Sequence, residues 1–228
     1  MSKKTLNKII IFDLDGTLIH SIPDMCIAMN KTLEQFKLNS ITEEKLQEFV
    51  GEGMLKLSEN VLKFSGANLN LIDDFFLMYR KEYSENPYYL TTLMPGVKDI
   101  LNYLLDKNIR INICTNKRQH VAEKILKLMN LFDNFDFIVG AKENVPLKPQ
   151  RQMIDFICNQ YDSDENDFIM VGDTKVDILA AKNAEISSVI VDGGYTNKDC
   201  KSLGADFYLN NISELKSCLL YTSPSPRD

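Results

Sequence analysis

Short apolar, β-branched runs recur along this chain, with helical patterns between the later ones, and this alternation restricts the fold more than any other feature. The runs are KIIIF (8–12), IRINIC (109–114), FDFIV (135–139), DFIMV (167–171), SSVIV (187–191) and DFYL (206–209). Apolar spacing predicts helices over 97–107, 119–129, 150–161 and 175–184. Strands and helices alternating in this way build βαβ units. The sequence therefore predicts an α/β fold, a doubly wound parallel sheet (a Rossmann-like core) with helices on both faces. Residues 13–108 break the rhythm, and within them 24–36, 42–49, 54–64 and 71–85 carry helical signals and no strand pattern. This predicts an inserted all-helical cap domain over 21–91, tethered by chain around 20–23 and 90–95. The α/β core is then 1–20 and 92–217. An insertion over the carboxyl end of the first strand suits a lid; the lesser alternative is a subdomain that only packs.

With 228 residues, 44% of them apolar and 25% charged, the chain can build one large domain or two modest ones. A net charge of -6 argues against nucleic acid or anionic membrane as a partner. An anionic ligand would need a local attraction: a metal, a lysine or helix N-termini. The five cysteines (Cys26, Cys114, Cys158, Cys200, Cys218) form no metal-ligand spacing and read as small, buried, reduced residues. The two histidines, His20 and His120, lie far apart. Only IIIF separates the basic start from Asp13, too short for the apolar core of a signal peptide. No run approaches the roughly 20 apolar residues of a membrane span. The expectation is a cytoplasmic protein. Residues 218–228, CLLYTSPSPRD, look like the translated adaptor of a sequencing library, and are expected to be a non-native, disordered tail.

The first run ends in Asp13-Leu14-Asp15-Gly16-Thr17. Side chains alternate along a strand, so Asp13 and Asp15 leave on one face while Leu14 points away. Two carboxylates about 4 Å apart repel by roughly 4 kcal/mol at an effective dielectric near 20. That cost calls for a cation or a chemical task, although an acidic turn is the plainer reading.

Three further signals close other predicted strands. Thr115-Asn116-Lys117 follows IRINIC, and a hydroxyl with free amides at a helix start suits a phosphate oxygen; by itself Thr115 reads first as a helix N-cap. Lys148-Pro149 follows the third run, with Pro149 expected at a helix start. Alone, Lys148 would be a solvated lysine. Gly172-Asp173-Thr174 and then Asp177 follow DFIMV, placing Asp177 about a turn into the next helix. Both carboxylates can then face one spot, or simply favour the helix dipole. Together these residues supply oxygen ligands suited to Mg2+ and groups suited to a phosphate.

On these residues the chain resembles the haloacid dehalogenase superfamily of phosphatases over nearly all of 8–217. Four motifs stand in order: DLDGT (13–17), Thr115, Lys148 and GDTKVD (172–177). Within it, VGEG (50–53), MPGV (94–97), CTNK (114–117), GGY (193–195) and GADFYLNNISEL (204–215) resemble the phosphoglycolate phosphatase group. The resemblance implies Asp13 as nucleophile, Asp15 as acid and base, and Thr115 and Lys148 as stabilisers of the transferred phosphoryl group. It implies Mg2+ on Asp13, the backbone carbonyl of Asp15, and Asp173, with Asp177 further out. It also implies substrate contacts at Thr17, Asn116 and the cap turn Gly51-Glu52-Gly53. Arg151 replaces the second proline of Lys-Pro-x-Pro, which should loosen that helix start, and Glu185 replaces the glycine that closes the alanine run.

The expected activity is Mg2+-dependent hydrolysis of a small, phosphoglycolate-like phosphate monoester through an aspartyl-phosphate, by a monomer or homodimer. The alternatives on the same fold are pyrophosphatase, nucleotidase, and sugar phosphatase or phosphomutase. Glu52 would repel a highly charged anion and so favours small monophosphates. A non-catalytic member would lack Asp13, Asp15, Lys148 or Asp173, and all four are present.

Overall fold

The computed structural model describes residues 8–196 and 199–221. The basic start of the chain and residues 222–228 of the predicted tail lie outside them. The central sheet is parallel and six-stranded. In chain order the first elements are β1 (Ile9–Phe12), β2 (Ile19–His20), α1 (Ile22–Gln35), α2 (Glu43–Gln47), α3 (Met54–Phe64), α4 (Ile72–Glu85) and β3 (Thr92–Leu93). There follow α5 (Val97–Asp106), β4 (Arg110–Arg118), α6 (Gln119–Leu128), β5 (Ile138–Ala141), α7 (Gln152–Cys158) and β6 (Phe168–Gly172). The chain continues through α8 (Lys175–Asn183), β7 (Ser187–Val191), β8 (Phe207–Leu209) and α9 (Leu215–Tyr221).

The sheet order is β5-β4-β1-β6-β7-β8. From β1 the chain winds outward through β4 and β5, then returns to β6 on the other side of β1. The reversal puts a topological switch point between β1 and β6, where the carboxyl ends of parallel strands open a crevice. Both faces are covered, which is why β1 and β6 are apolar throughout. Strand alternation sends Ile10 and Phe12 to the face covered by α5 and α6, and Ile9 and Ile11 to the face covered by α7 and α8. Each of these fully buried side chains contributes about 1.5–3 kcal/mol.

Helices α1–α4 form the insertion, as the spacing predicts. Apolar stripes join them: Phe75, Tyr79 and Tyr83 recur every fourth residue along α4 and are buried, and α1 and α3 pack against it. Helix α2 is capped by Thr42, whose hydroxyl accepts the amide of Lys45 at 3.3 Å. The two connections to the core pair as antiparallel strands, Ile19 with Leu93 and His20 with Thr92.

Four expectations shift. Helix α1 begins at Ile22, inside the expected tether 20–23, because Pro23 suits a first helical turn. Strand β5 lies later than FDFIV, since the register with β4 slips between Cys114 and Arg118 and pairs Arg118 with Ala141. Helix α7 is shorter than 150–161: it runs from Gln152 to Cys158, with Arg151 before it, so Pro149 does not stand at a helix start. Finally, the helix that begins at Leu215 continues past 217, and Cys218 and Leu219 are buried against the core. The segment expected to be a tail from 218 therefore supplies apolar packing at its first residues, where α9 lies against α5.

Candidate active site

Asp13 follows β1 directly, its amide bonded to Val171 O at 2.9 Å, and so stands beside the end of β6. Asp173 follows β6. Asp177 is the third residue of α8 and turns back beneath both. One oxygen from each of these buried carboxylates lies within 4.8 Å of the others. Lys148 enters from the β5–α7 loop. Its ammonium is 2.7 Å from Asp13 Oδ1 and 2.6 Å from Asp177 Oδ1, and its side chain is buried.

The charge balance is uneven. Burial, reinforced by Asp177 and Asp15, pushes the Asp13 carboxyl up to about 7 against the pull of Lys148. Burial and the charges of Asp13 and Asp177 push Asp173 well above the carboxylate range, although Tyr195 N and Thr17 donate to it. Burial works against the Lys148 ammonium, but Asp13 and Asp177 outweigh it and hold it charged. One buried lysine, in contact with Asp13 and Asp177, thus serves three buried acids. All the donors are carboxylate oxygens, and an added hard cation would let the acids ionise together, so the set fits a divalent ion such as Mg2+. Cys114 lies nearby, and burial lifts its thiol to about 12, which keeps it protonated.

Asp15 takes other partners. Lys117 Nζ lies 2.8 Å and 2.9 Å from its two oxygens, and Ser21 Oγ donates to Oδ1. Gly16 lets the chain turn at φ +87, where any side chain would run into Asp173 and the Tyr195 ring. Tyr195 ties the turn down: its amide donates to Asp173 Oδ2 at 2.6 Å, and its hydroxyl accepts the amide of Ser21 at 2.7 Å. A cavity of about 50 Å³ opens above Asp13, Asp15 and Lys148, between the sheet and the inserted helices.

Known proteins match this chain in sequence and in fold. The family model for haloacid dehalogenase-like hydrolases matches residues 10–191. The chain belongs to the haloacid dehalogenase-like hydrolases. It is 31% identical to the phosphoglycolate phosphatase of Chromobacterium violaceum, over 91% of this chain and 94% of the relative. It is also 31% identical to that of Aquifex aeolicus over the same shares. The fold matches a predicted phosphoglycolate phosphatase from Haemophilus somnus 129PT (TM-score 0.87, 24% identity, 94% and 99% coverage). It also matches a haloacid dehalogenase-like family protein from Streptococcus pneumoniae (TM-score 0.83, 23% identity, 92% and 97%).

The remaining expected residues of this haloacid dehalogenase-like hydrolase are placed unevenly. Thr115 lines the cavity but lies within β4. The next helix starts at Gln119, so Thr115 caps nothing, and its hydroxyl accepts the amide of Lys117 at 3.2 Å. Thr17 does not line the cavity, because its hydroxyl is spent on Asp173 Oδ1 at 2.8 Å. Asn116 lines it with its amide already engaged. Nδ2 donates to Gly51 O and Lys148 O at 2.8 and 2.9 Å, and Oδ1 accepts the amide of Lys148 at 2.9 Å. Asn116 therefore buckles the inserted unit and the Lys148 loop to β4. Gly51 and Gly53 line the cavity, whereas Glu52 is exposed outside it. Asp177 spends its second oxygen on the amide and hydroxyl of Thr174.

Sequence reading passed over Lys117, Ser21, Tyr79, Tyr83 and Arg118. The signal for Lys117 was available: period-two alternation sets it beside Thr115 on β4. The two tyrosines, four apart on α4, read only as an apolar stripe.

Proposed function

We propose that this hydrolase cleaves a small, phosphoglycolate-like phosphate monoester with Mg2+, through a phosphorylated Asp13. The supporting observation is the buried meeting of Asp13, Lys148, Asp173 and Asp177 at the sheet's switch point, beneath the cavity. In this reading an Asp13 oxygen attacks phosphorus in line with the leaving alcohol. Asp15 gives the departing oxygen a proton, then takes one from the water that cleaves the acyl phosphate and frees inorganic phosphate. Lys117 and Ser21 hold the Asp15 carboxylate on the cavity side of its loop. Lys148 and Thr115 steady the phosphoryl oxygens. Asp13, Asp173, the backbone carbonyl of Asp15 and, further out, Asp177 would hold the ion. Mg2+ bound there supplies the positive charge that lets a carboxylate approach a phosphate dianion.

The experiment is a phosphate-release screen over 2-phosphoglycolate, ethyl phosphate, a hexose phosphate and a nucleoside monophosphate, with Mg2+ and with chelator. The small esters should be hydrolysed fastest, chelator should abolish turnover, and added Mg2+ should restore it. Asp13→Asn should abolish turnover while the circular dichroism spectrum stays native. Asp15→Asn should cost about 10²–10⁴-fold. Near-native turnover by Asp13→Asn overturns the nucleophile, and faster hydrolysis of the nucleotide overturns the substrate class.

A further inference from the structure

Two buried lysines divide the aspartates of the Asp13-Leu14-Asp15 turn between them: Lys148 takes Asp13, and Lys117 takes Asp15. Lys117 stands two residues beyond Thr115 on β4. Its ammonium lies 2.8 Å and 2.9 Å from the two Asp15 oxygens. It also sits over the face of the Tyr83 ring of α4, 4.8 Å from the ring centroid. A buried ammonium is costly without partners, and here two carboxylate oxygens and one ring face supply them. The other fixed contact of the Asp15 side chain is Ser21 Oγ, which donates to Oδ1. Oδ1 thus receives two donors, while Oδ2 receives Lys117 alone and is the freer oxygen on the cavity wall. None of the four motifs contains Lys117.

We propose that Lys117 is a positioning residue for the proton that Asp15 gives to the leaving oxygen, so that turnover depends on Lys117 most where that oxygen is most basic. This rests on the phosphomonoesterase reading and concerns its first step. As an Asp13 oxygen bonds to phosphorus, the bond from phosphorus to the alcohol oxygen breaks and leaves its electron pair on that oxygen. The proton of the Asp15 carboxyl passes to it. Asp15 is left as a carboxylate until the attacking water returns a proton. Lys117, held on both Asp15 oxygens, fixes the plane of that carboxyl before the transfer and faces the negative charge that the transfer creates. An interaction that strengthens as charge develops lowers the barrier, whereas one of constant strength does not. Lys148 cannot replace it, because its own contacts are Asp13 and Asp177.

The test compares kcat/KM, with Mg2+ present, for ethyl phosphate and acetyl phosphate. Both carry two carbons, but the ethyl oxygen needs a proton to leave and acetate does not. This parameter counts the steps up to phosphorylation of Asp13, so the later attack of water does not enter. In Lys117→Met the value for ethyl phosphate should fall about 10- to 100-fold, the cost of a misplaced catalytic group, and that for acetyl phosphate far less. Lys117→Arg, whose fork also meets a carboxylate with two bonds, should recover part of the loss. Tyr83→Leu should show the same selective loss in smaller measure, and Tyr83→Phe, which keeps a ring face, less still. Equal falls for the two compounds would give Lys117 a merely structural role and overturn the proposal. A rise for ethyl phosphate would overturn it too, since Lys117 would then be holding Asp15 away from the leaving oxygen. If Lys117→Met does not fold, Tyr83→Leu decides by the same comparison. Asp15→Asn should show the selective loss at its largest, and an equal loss there removes the acid on which the proposal depends. Failure of the wild type to hydrolyse any monoester would instead sink the phosphomonoesterase reading itself.

Discussion

Asp24 holds the base of the inserted helices with one buried carboxylate. It accepts the amides of Tyr89, Leu90 and Thr91 at 2.7–3.0 Å and the Thr91 hydroxyl at 2.6 Å. It thereby joins the outgoing chain at α1 to the returning chain before β3. Burial alone would raise its pKa; the hydrogen bonds from Thr91, Tyr89 and Leu90 outweigh burial and hold it below the usual range. Its stabilisation is therefore complete above the unfolded carboxyl pKa near 3.9 and fades as pH falls through the lower folded value. Asp24→Asn should cost about 2–3 kcal/mol at pH 6. In urea titrations the gap to wild type should close below about pH 4; a gap constant from pH 6 to pH 3 would exclude this origin. Asp24 was read in the sequence only as part of a helix start. A carboxylate that collects amides 65 residues away leaves no local pattern, whereas Asp13 and Asp15 announce themselves by ending an apolar run.

At the scale of elements, the two departures from the family pattern turn out to be neighbours. Arg151, before α7, reaches Asp155 at 2.7 Å and Glu185 at 3.4 Å. Glu185 follows α8 with φ +62, the left-handed conformation in which glycine ends helices without a Cβ penalty. Its ion pair with Arg151 is exposed and weak, so the backbone term governs. Glu185→Gly should stabilise the protein by about 1 kcal/mol, since a left-handed residue costs roughly 1–2 kcal/mol. The melting temperature should rise about 2–4 °C, and a fall would mean that the ion pair outweighs the strain. Element periods were legible because they arise within a few residues: β1, β6, β7 and α8 follow directly from apolar spacing, and β4 does so only as far as Cys114, since it runs on to Arg118. The displacement of β5 was not legible, since it follows from a register slip against β4. The length of α9 was not legible either, because packing against α5 keeps its apolar residues in place.

For the molecule as a whole, two units are tied across the cavity. Gly51 O accepts from Asn116, Gln47 Nε2 reaches Gly194 O at 3.4 Å, and one apolar cluster runs from the sheet into the inserted helices. The acids beneath this seam share a single lysine, so a bound divalent cation should stabilise the entire fold and not only its activity. Mg2+ at a hundred times its dissociation constant should add about 2.7 kcal/mol to unfolding. Calorimetry should record a raised melting temperature that chelator reverses and that Asp173→Asn abolishes. An equal rise in that variant would place the ion elsewhere.

Read alone, the sequence supplied the α/β alternation, the place of the helical insertion and the acids and lysine at strand ends. Apolar periodicity and strand-end position are local properties, written within a few consecutive residues. Only the tertiary structure decided how those residues spend their hydrogen bonds: Thr17 on Asp173, Asn116 on Gly51 and Lys148, Lys117 on Asp15. It alone left Arg118 Nε and the Tyr79 hydroxyl unpartnered in one cavity, because that depends on which distant groups the fold brings together and which it does not.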